Sequence, residues 1–340
     1  MGLLKKKLKS GLIGCGHFAR IAYTPAFNMR SNPIACSGLY SRNIKSSELL
    51  RDNLRYKPEV FTSHEELFAS GIDCVIIATP NYSHKYFIIE ALKNNLNVFC
   101  EKPVTNTLKD ALDLMLTLKN SGSILMVGYN RRYLATVQRL KKLINGGAIG
   151  KINEVFAFHN QDIKGHLLKS DWLNDAEKSG GGVLHNAGTH LINVMLYLFG
   201  KINNVSAEFR NIEMPVAFSE DTAVCRFVFQ SGVVGTLKAS WVKAVDSAYE
   251  HIVVKGEKGD ITSDIWADSI AIQYHSKKIK KIHCRKGTPA DSIYNELVHF
   301  YNCIRLKKTP DTDIKDSIET LKVTDAARIS AMTSREIRID

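Results

Sequence analysis

Three clusters in this 340-residue chain have residue types and spacings that could do chemistry. The first is Gly14-Cys15-Gly16-His17-Phe18-Ala19, a G-x-G-x-x-A pattern. Between a strand and a helix, its first glycine permits a tight turn and its second lets backbone approach a pyrophosphate. Small Ala19 lets the helix pack close to the strand, and the helix N-terminus supplies amides and a positive dipole. The second cluster is Glu101-Lys102-Pro103, a carboxylate and an ammonium set where the apolar run Val98-Phe99-Cys100 stops. Such a tripeptide in isolation is usually a solvated loop, so its meaning depends on what surrounds it. The third is Gly180-Gly181-Gly182, followed by His185, Asn186 and His190. Positions 186 and 190 are four apart and share a helix face. An imidazole titrates near pH 6.5 in water, which suits proton transfer around neutrality. His185 is the rival base, turned away by the roughly 100° that each helical residue adds.

The elements that must position these residues alternate through the first third of the chain. Strand patterns at Leu8–Ile13, Ile34–Tyr40, Val60-Phe61, Cys74–Ala78, Val98–Cys100 and Ile124–Tyr129 are separated by helical patterns. The helices are expected at 17–29, from about 45, from Ser63, at 83–93 and at 107–119, with Ser63-x-x-Glu66 as a capping box. That alternation implies βαβ units and a parallel sheet covered on both faces. The second strand ends Leu39-Tyr40-Ser41-Arg42 without the acid that would bond both ribose hydroxyls of NAD. A serine beside a guanidinium suits a 2′-phosphate, so NADP(H) is favoured over NAD(H). After Gly150 the character changes to one long helix pattern at 183–199 and a series of longer strands. These are Val205–Arg210, Thr222–Phe229, Val233–Val242, His251–Val254, Ile261–Ile265 and Ile270–Tyr274. Turns such as Gln230-Ser231-Gly232 suit an antiparallel meander, and helices at about 292–306 and 314–332 close the chain.

Composition excludes several classes. No run approaches the roughly 20 apolar residues of a membrane span, so no membrane partner is expected. The seven cysteines are scattered without a C-x-x-C spacing, which argues for no metal, no disulfide framework and a reducing cytoplasm. The formal charge is +12, but the lysines are dispersed apart from Lys5-Lys6-Lys7 and the 277–281 cluster. No nucleic-acid motif accompanies them, and no nucleic-acid partner is expected.

Taken in order, these patterns resemble a known family. G-x-G-x-x-A, Ala78-Thr79-Pro80-Asn81-Tyr82-Ser83-His84, Glu101-Lys102-Pro103, Gly128-Tyr129-Asn130-Arg131-Arg132-Tyr133 and Gly180-Gly181-Gly182 ahead of His190 follow one another. That series is similar to the glucose–fructose oxidoreductase, inositol dehydrogenase and rhizopine-catabolism (Gfo/Idh/MocA) family of NAD(P)-dependent oxidoreductases. The resemblance implies that Lys102 lies beside the nicotinamide and the substrate hydroxyl. Ligands of such sheets sit at the carboxyl ends of the parallel strands, where Lys102 falls. There it can hydrogen-bond the reacting oxygen and stabilise alkoxide-like charge. The resemblance further implies cofactor contacts from Gly14, Cys15, Gly16, His17, Phe18, Ser41, Arg42, Thr79, Pro80, Asn81, His84 and Lys102. Glu101 belongs toward the nicotinamide ribose or its supporting shell. His190 is implied as general base, and the common aspartate four residues before it is here Asn186, which cannot titrate. Asp171-Trp172 matches a family position near the active site, with Trp172 equally readable as core packing.

The resulting expectation is an α/β domain joined to an α+β domain. Residues 1–128 form a Rossmann, doubly wound parallel sheet that binds the dinucleotide. Residues 129–340 form a substrate-binding and oligomerisation domain on a large, open, mainly antiparallel sheet, with helix 314–332 free to pack back on the first domain. The expected activity is hydride transfer between NAD(P) and a secondary alcohol or ketone of a sugar, cyclitol or nucleotide sugar. The alternative is a non-catalytic, NADP-binding regulator of the same family. A homodimer or homotetramer is expected from the open sheet.

Overall fold

The computed structural model describes residues 7–163, 165, 170–213, 220–242 and 249–339; Lys5 and Lys6 of the first basic run lie outside the described residues. The chain divides into two units, Met1–Asn130 with Thr288–Ser317, and Arg131–Gly287 with Ile318–Asp340.

In the first unit, β1 (Leu8–Ile13), β2 (Ile34–Tyr40), β3 (Glu59–Val60), β4 (Cys74–Ile77), β5 (Asn97–Glu101) and β6 (Leu125–Gly128) make one sheet in the order β3-β2-β1-β4-β5-β6. Every pairing is parallel. Val75, Ile76, Ile77, Val98, Phe99 and Cys100 are all fully buried, as an unbroken apolar run requires when helices cover both faces of a sheet. The helices between the strands are α1 (Thr24–Asn28), α2 (Ile44–Asn53), α3 (His64–Ala69), α4 (His84–Lys93) and α5 (Leu108–Lys119). Asn43, Ser63 and Thr107 each accept a backbone N–H at a helix start, which satisfies one orphan donor apiece. The capping box at Ser63 is only half formed. Its Oγ accepts from Glu66 N, while the Glu66 carboxylate reaches one residue further, to Thr62 N and Oγ1. The strand order reverses between β1 and β4, so the crevice at their carboxyl ends is the topological switch point.

The second unit holds a nine-stranded sheet. Its strands are β7 (Ile152–Asn160), β8 (Ile202–Arg210), β9 (Thr222–Phe229), β10 (Val234–Ser240), β11 (Glu250–Gly256), β12 (Gly259–Asp264), β13 (Ser269–Tyr274), β14 (Ile279–His283) and β15 (Ile337–Arg338), in the order β14-β13-β12-β11-β7-β10-β9-β8-β15. It is mainly antiparallel but not a pure meander, because β7 pairs parallel with β10 at its centre. β7 escapes a pattern search because its inward positions are Val155, Ala157 and His159, while Phe156 and Phe158 face the other way. α6 (Ala135–Asn145), α7 (Ala176–Ser179) and α8 (Thr189–Phe199) belong to this unit. Leu191, Val194 and Met195 of α8 are fully buried in the core cluster with Val155, Phe227 and Leu237.

The last two helices, α9 (Pro289–Leu306) and α10 (Ile314–Thr333), divide differently from the expectation that 129–340 forms one domain. Residues 288–317, which include α9, group with the first unit, and α10 straddles the division. The reason lies on the buried stripe of α9, Ile293, Leu297 and Phe300, whose phenyl ring meets Phe99 of β5 edge-on at 5.8 Å.

Candidate active site

The G-x-G turn is fixed by its neighbours. Gly14 N donates to Tyr40 O at the end of β2, and Ala78 N donates to Ile13 O. Gly14 has φ +96°, and a Cβ there would lie 2.5 Å from Ala78 O, so only glycine fits. Gly16 is exposed, and a Cβ there would meet nothing within 4 Å. Open space before the second glycine and close packing behind the first suit a diphosphate seated on this turn. Cys15 offers only its backbone. Its thiol is buried against Ser47 Oγ (3.5 Å) and Tyr40 O (3.8 Å), and burial pushes its pKa up to about 11, with the Ser47 bond opposing. His17 is exposed and Phe18 half-buried. Ser41 is half-buried and Arg42 exposed at the carboxyl end of β2, and Arg42 forms no ion pair with any described residue.

After this turn the chain makes a π-helical turn, Ala19–Tyr23, closed by Thr24 N donating to Ala19 O. Such one-residue expansions recur at functional sites. This one carries Tyr23, which is fully buried and donates its hydroxyl to Glu101 Oε1 at 2.7 Å. Burial, then the carboxylates of Glu101 and Glu296, raise the Tyr23 pKa well above its ordinary value, so the phenol stays a donor. The Glu101 carboxylate is thus turned into the unit rather than toward open space, over Gly128 of β6, where a Cβ would sit 3.2 Å from Oε2.

Lys102 is half-buried just beyond β5, and the Lys102–Pro103 bond is cis. The loop after β4 lies beside it. Thr79 and Pro80 are half-buried, Asn81 is buried, and Ser83 Oγ lies 2.8 Å from both Thr79 Oγ1 and Pro80 O. His84 is not a surface group available to a cofactor. It is fully buried with Nδ1 2.8 Å from Pro103 O and Nε2 2.9 Å from Thr79 O.

In the second unit, Gly180-Gly181-Gly182 runs into another π-helical turn, Leu184–Gly188, and then α8. A Cβ on Gly182 would fall 2.0 Å from Glu220 O, and one on Gly181 2.9 Å from His185 Cβ. Val183 N donates to Glu220 O, and Leu184 N to Glu220 Oε1, each at 2.9 Å. Glu220 therefore caps this helix start, although burial raises its pKa against the amides that favour the anion. Asn186 points its amide nitrogen back at three carbonyls, Gly181 O (2.7 Å), Gly182 O (3.1 Å) and Ser179 O (3.4 Å). His185 and His190 are both buried. Asn186 stands within the π-turn and His190 in the first turn of α8. Asp171 is exposed, and Trp172 packs half-buried against the core of this unit.

Sequence reasoning missed Glu220 and Glu250. The acid pair Glu220-Asp221 directly ahead of β9 was the available signal for the first. Glu250 is fully buried and accepts from Arg131 Nε (3.0 Å), Trp266 Nε1 (2.6 Å) and His159 Nδ1 (3.1 Å). Burial alone would raise its pKa, but the Arg131 guanidinium and the His159 bond outweigh it and bring it down to about 2.

Comparison with known proteins adds to this geometry. The family model described as "Oxidoreductase family, NAD-binding Rossmann fold" matches residues 8–129, and that of the "GFO/IDH/MocA C-terminal domain" matches 137–262, together well over half of the chain. A scyllo-inositol 2-dehydrogenase (NAD(+)) of Bacillus subtilis is 29% identical over 296 residues, 82% of this chain and 80% of its own length. A 2,7-anhydro-N-acetylneuraminate hydratase of Escherichia coli is 30% identical over 198 residues, 57% of this chain. The chain spans about half of that relative's length, 52%. Among solved structures, levoglucosan dehydrogenase in complex with NADH and levoglucosan has a TM-score of 0.88 at 21% identity, covering 98% of this chain and 99% of its own, which is a likeness of fold. Among the described residues no helix is long and apolar enough to cross a membrane, and no group of three or more His, Cys, Asp or Glu could hold a metal.

Proposed function

The chain belongs to the GFO/IDH/MocA family of NAD-binding oxidoreductases, and from that premise we propose that it transfers hydride between NADP(H) and a secondary alcohol or ketone of a sugar-like substrate. The observation that carries this reading is Lys102, an ammonium at the carboxyl end of β5 whose two neighbours are anchored in the unit's interior. Glu101 is held by Tyr23 and Pro103 by His84. The names of the relatives, dehydrogenases of an inositol and of levoglucosan, support the substrate class of sugar, cyclitol or nucleotide sugar.

Gly14, Gly16 and the backbone from Cys15 to Phe18 would hold the diphosphate, with the turn of Thr79, Pro80 and Asn81 beside it. The bound dinucleotide supplies the hydride acceptor for oxidation or the donor for reduction. Lys102 donates a hydrogen bond to the substrate oxygen and stabilises the negative charge that grows there. His190 takes the hydroxyl proton in oxidation and returns one in reduction. Asn186, spent on the carbonyls of Gly181 and Gly182, has no proton to move and acts by shaping the loop. Ser41 and the exposed Arg42 favour the 2′-phosphate of NADP(H). The protein would act in the cytoplasm as a homo-oligomer.

Lys102→Ala is the deciding variant. Losing one preorganised donor typically lowers turnover by about 10²–10³, with the dinucleotide Kd changed no more than a few-fold. Product should be followed as well as nicotinamide absorbance, since one relative is named a hydratase. Normal turnover in this variant would overturn the reading. Arg42→Ala should weaken NADPH by roughly 1.5–3 kcal/mol and leave NADH almost unchanged. Equal losses for the two cofactors would remove the NADP(H) preference.

A further inference from the structure

Glu101 ends β5 directly before Lys102, and its side chain is drawn inward rather than left in solvent. Tyr23 donates its hydroxyl to Glu101 Oε1 at 2.7 Å, and the backbone N–H of Lys102 meets Oε2 at 3.4 Å, a long hydrogen bond. Gly128 of β6 lies against the same carboxylate, where a Cβ would come within 3.2 Å of Oε2. The Tyr23 ring is itself held, with the rings of Phe18, Phe27 and Phe99 at 5.9, 6.2 and 6.3 Å. A phenol has one proton to give. The 2.7 Å contact assigns it to Glu101, although the Glu296 carboxylate of α9 also bears on this phenol. Burying a carboxylate costs free energy that an apolar side chain of similar size does not cost. What the carboxylate adds is direction, because its hydrogen bond to Tyr23 fixes where residue 101 sits.

We propose that Tyr23 is a positioning residue for Lys102, which by holding the Glu101 carboxylate fixes the strand end that carries the ammonium. This rests on the reading of Lys102 as the donor to the substrate oxygen. Tyr23 closes the π-helical turn that follows the glycine turn. The link therefore joins the element that would seat the dinucleotide to the one that would act on the substrate. The hydroxyl takes no part in fixing the glycine turn itself, which is held by Gly14 N on Tyr40 O and Ala78 N on Ile13 O. Its loss should fall on turnover and spare dinucleotide affinity. A reacting group misplaced by about 1 Å can cost on the order of 10²-fold in rate.

Tyr23→Phe removes one oxygen and keeps the ring among its aromatic neighbours. It should lower kcat by about 10-fold or more, the size of a hydrogen bond to a charged group, with the dinucleotide Kd little changed. In a Glu101→Leu background the same substitution should have almost no further effect on kcat, because the carboxylate through which it acts is gone. An unchanged kcat in Tyr23→Phe, or a Kd that weakens as much as kcat falls, would mean a packing role and overturn the proposal. So would a loss that is fully additive with that of Glu101→Leu. Should Tyr23→Phe fail to fold, Gly128→Ala takes its place, since its methyl crowds the carboxylate from β6. It should lower kcat and spare Kd, and a wild-type kcat there overturns the proposal. Lys102→Ala run in parallel separates the two ideas. If it turns over normally while amide exchange at Lys102 and Val104 quickens in Tyr23→Phe, the Lys102 reading fails and the link stands. If it is inactive while Tyr23→Phe behaves as wild type, the link fails alone.

Discussion

The two glycine turns, Gly14-Cys15-Gly16 in the first unit and Gly180-Gly181-Gly182 in the second, both lead into a π-helical turn and then an α-helix, yet they use their glycines differently. In the first, Gly14 is wedged against Ala78 while Gly16 looks onto open space. In the second, Gly181 is closed by His185 and Gly182 by the Glu220 backbone. The amides beyond it are taken up by Glu220, and two of its carbonyls by Asn186. A glycine-rich turn before a helix can cradle an anion only while its backbone stays accessible. The first turn keeps that access and the second gives it up, becoming a rigid mount for the helix that carries His190.

Alanine at one glycine of each turn should separate these roles most sharply. Gly182→Ala puts a methyl 2.0 Å from the Glu220 carbonyl oxygen and 2.6 Å from its nitrogen. Backbone cannot yield cheaply, so the cost should exceed about 4 kcal/mol and show as lost soluble protein or a collapsed Tm. Gly16→Ala meets nothing and should shift stability by less than about 0.5 kcal/mol, while titration calorimetry records a dinucleotide Kd at least about 10-fold weaker, the loss of one good contact. If Gly16→Ala binds as tightly as the wild type, the first turn is no cradle and the contrast fails.

The same contrast explains what was legible in the sequence. The first unit follows rules that act locally. Val75–Ile77 and Val98–Cys100 are buried on both faces and therefore read as unbroken apolar runs, and the residues proposed to act on cofactor and substrate stand at their carboxyl ends. The second unit depends on partners far apart in sequence. Glu250 meets Arg131 and His159 across about a hundred residues, and neither its burial nor its pairing leaves a periodic trace. β14 is a charged edge strand, Ile279–His283, whose lysines deter further pairing and also hide it from a hydrophobic pattern. The π-turns at Ala19–Tyr23 and Leu184–Gly188 read as ordinary helix, because tertiary contacts and not composition select them. His84 was read as a cofactor contact from its motif, whereas only the fold shows both of its nitrogens turned onto backbone.

Charge sharpens the difference next. Arg42 stands exposed near the first turn, whereas the second unit buries Glu250 completely, with its pKa brought to about 2 from an ordinary 4.5. A depressed carboxylate contributes stability that is fully present above its unfolded pKa and is lost as pH falls through the folded one. The window here is about pH 4.5 down to 2, and the contribution is on the order of 3 kcal/mol. Other carboxylates titrate in that range too, so the informative quantity is a difference. Glu250→Gln should be less stable than the wild type at neutral pH, and the gap should narrow as the solution is acidified from pH 5 to 2. A gap that stays constant across that range would mean the Glu250 charge contributes nothing.

Asn186 gives the smallest effect and the opposite slope. Its amide nitrogen faces the carbonyl oxygens of Gly181, Gly182 and Ser179, a place that needs a donor. Aspartate has none when ionised, and it would set its charge against three negative dipole ends. Its folded pKa must therefore rise above the unfolded value of about 3.9. The penalty is fully present above that raised pKa and fades as pH falls toward the unfolded one, the reverse of Glu250. We expect Asn186→Asp to cost about 2 kcal/mol at neutral pH, the scale of buried acceptors left without donors, and to regain stability relative to wild type on acidification. Asn186→Ala should cost about 1 kcal/mol with no pH dependence of its own. Thermal melts of the three proteins across pH 3 to 7 measure both effects. An aspartate variant as stable as the wild type at pH 7 would mean that the Gly181 and Gly182 carbonyls do not need this donor. Asparagine would then have to be explained at this position by something that it does to a substrate, and the second glycine turn would no longer count as the closed one of the pair.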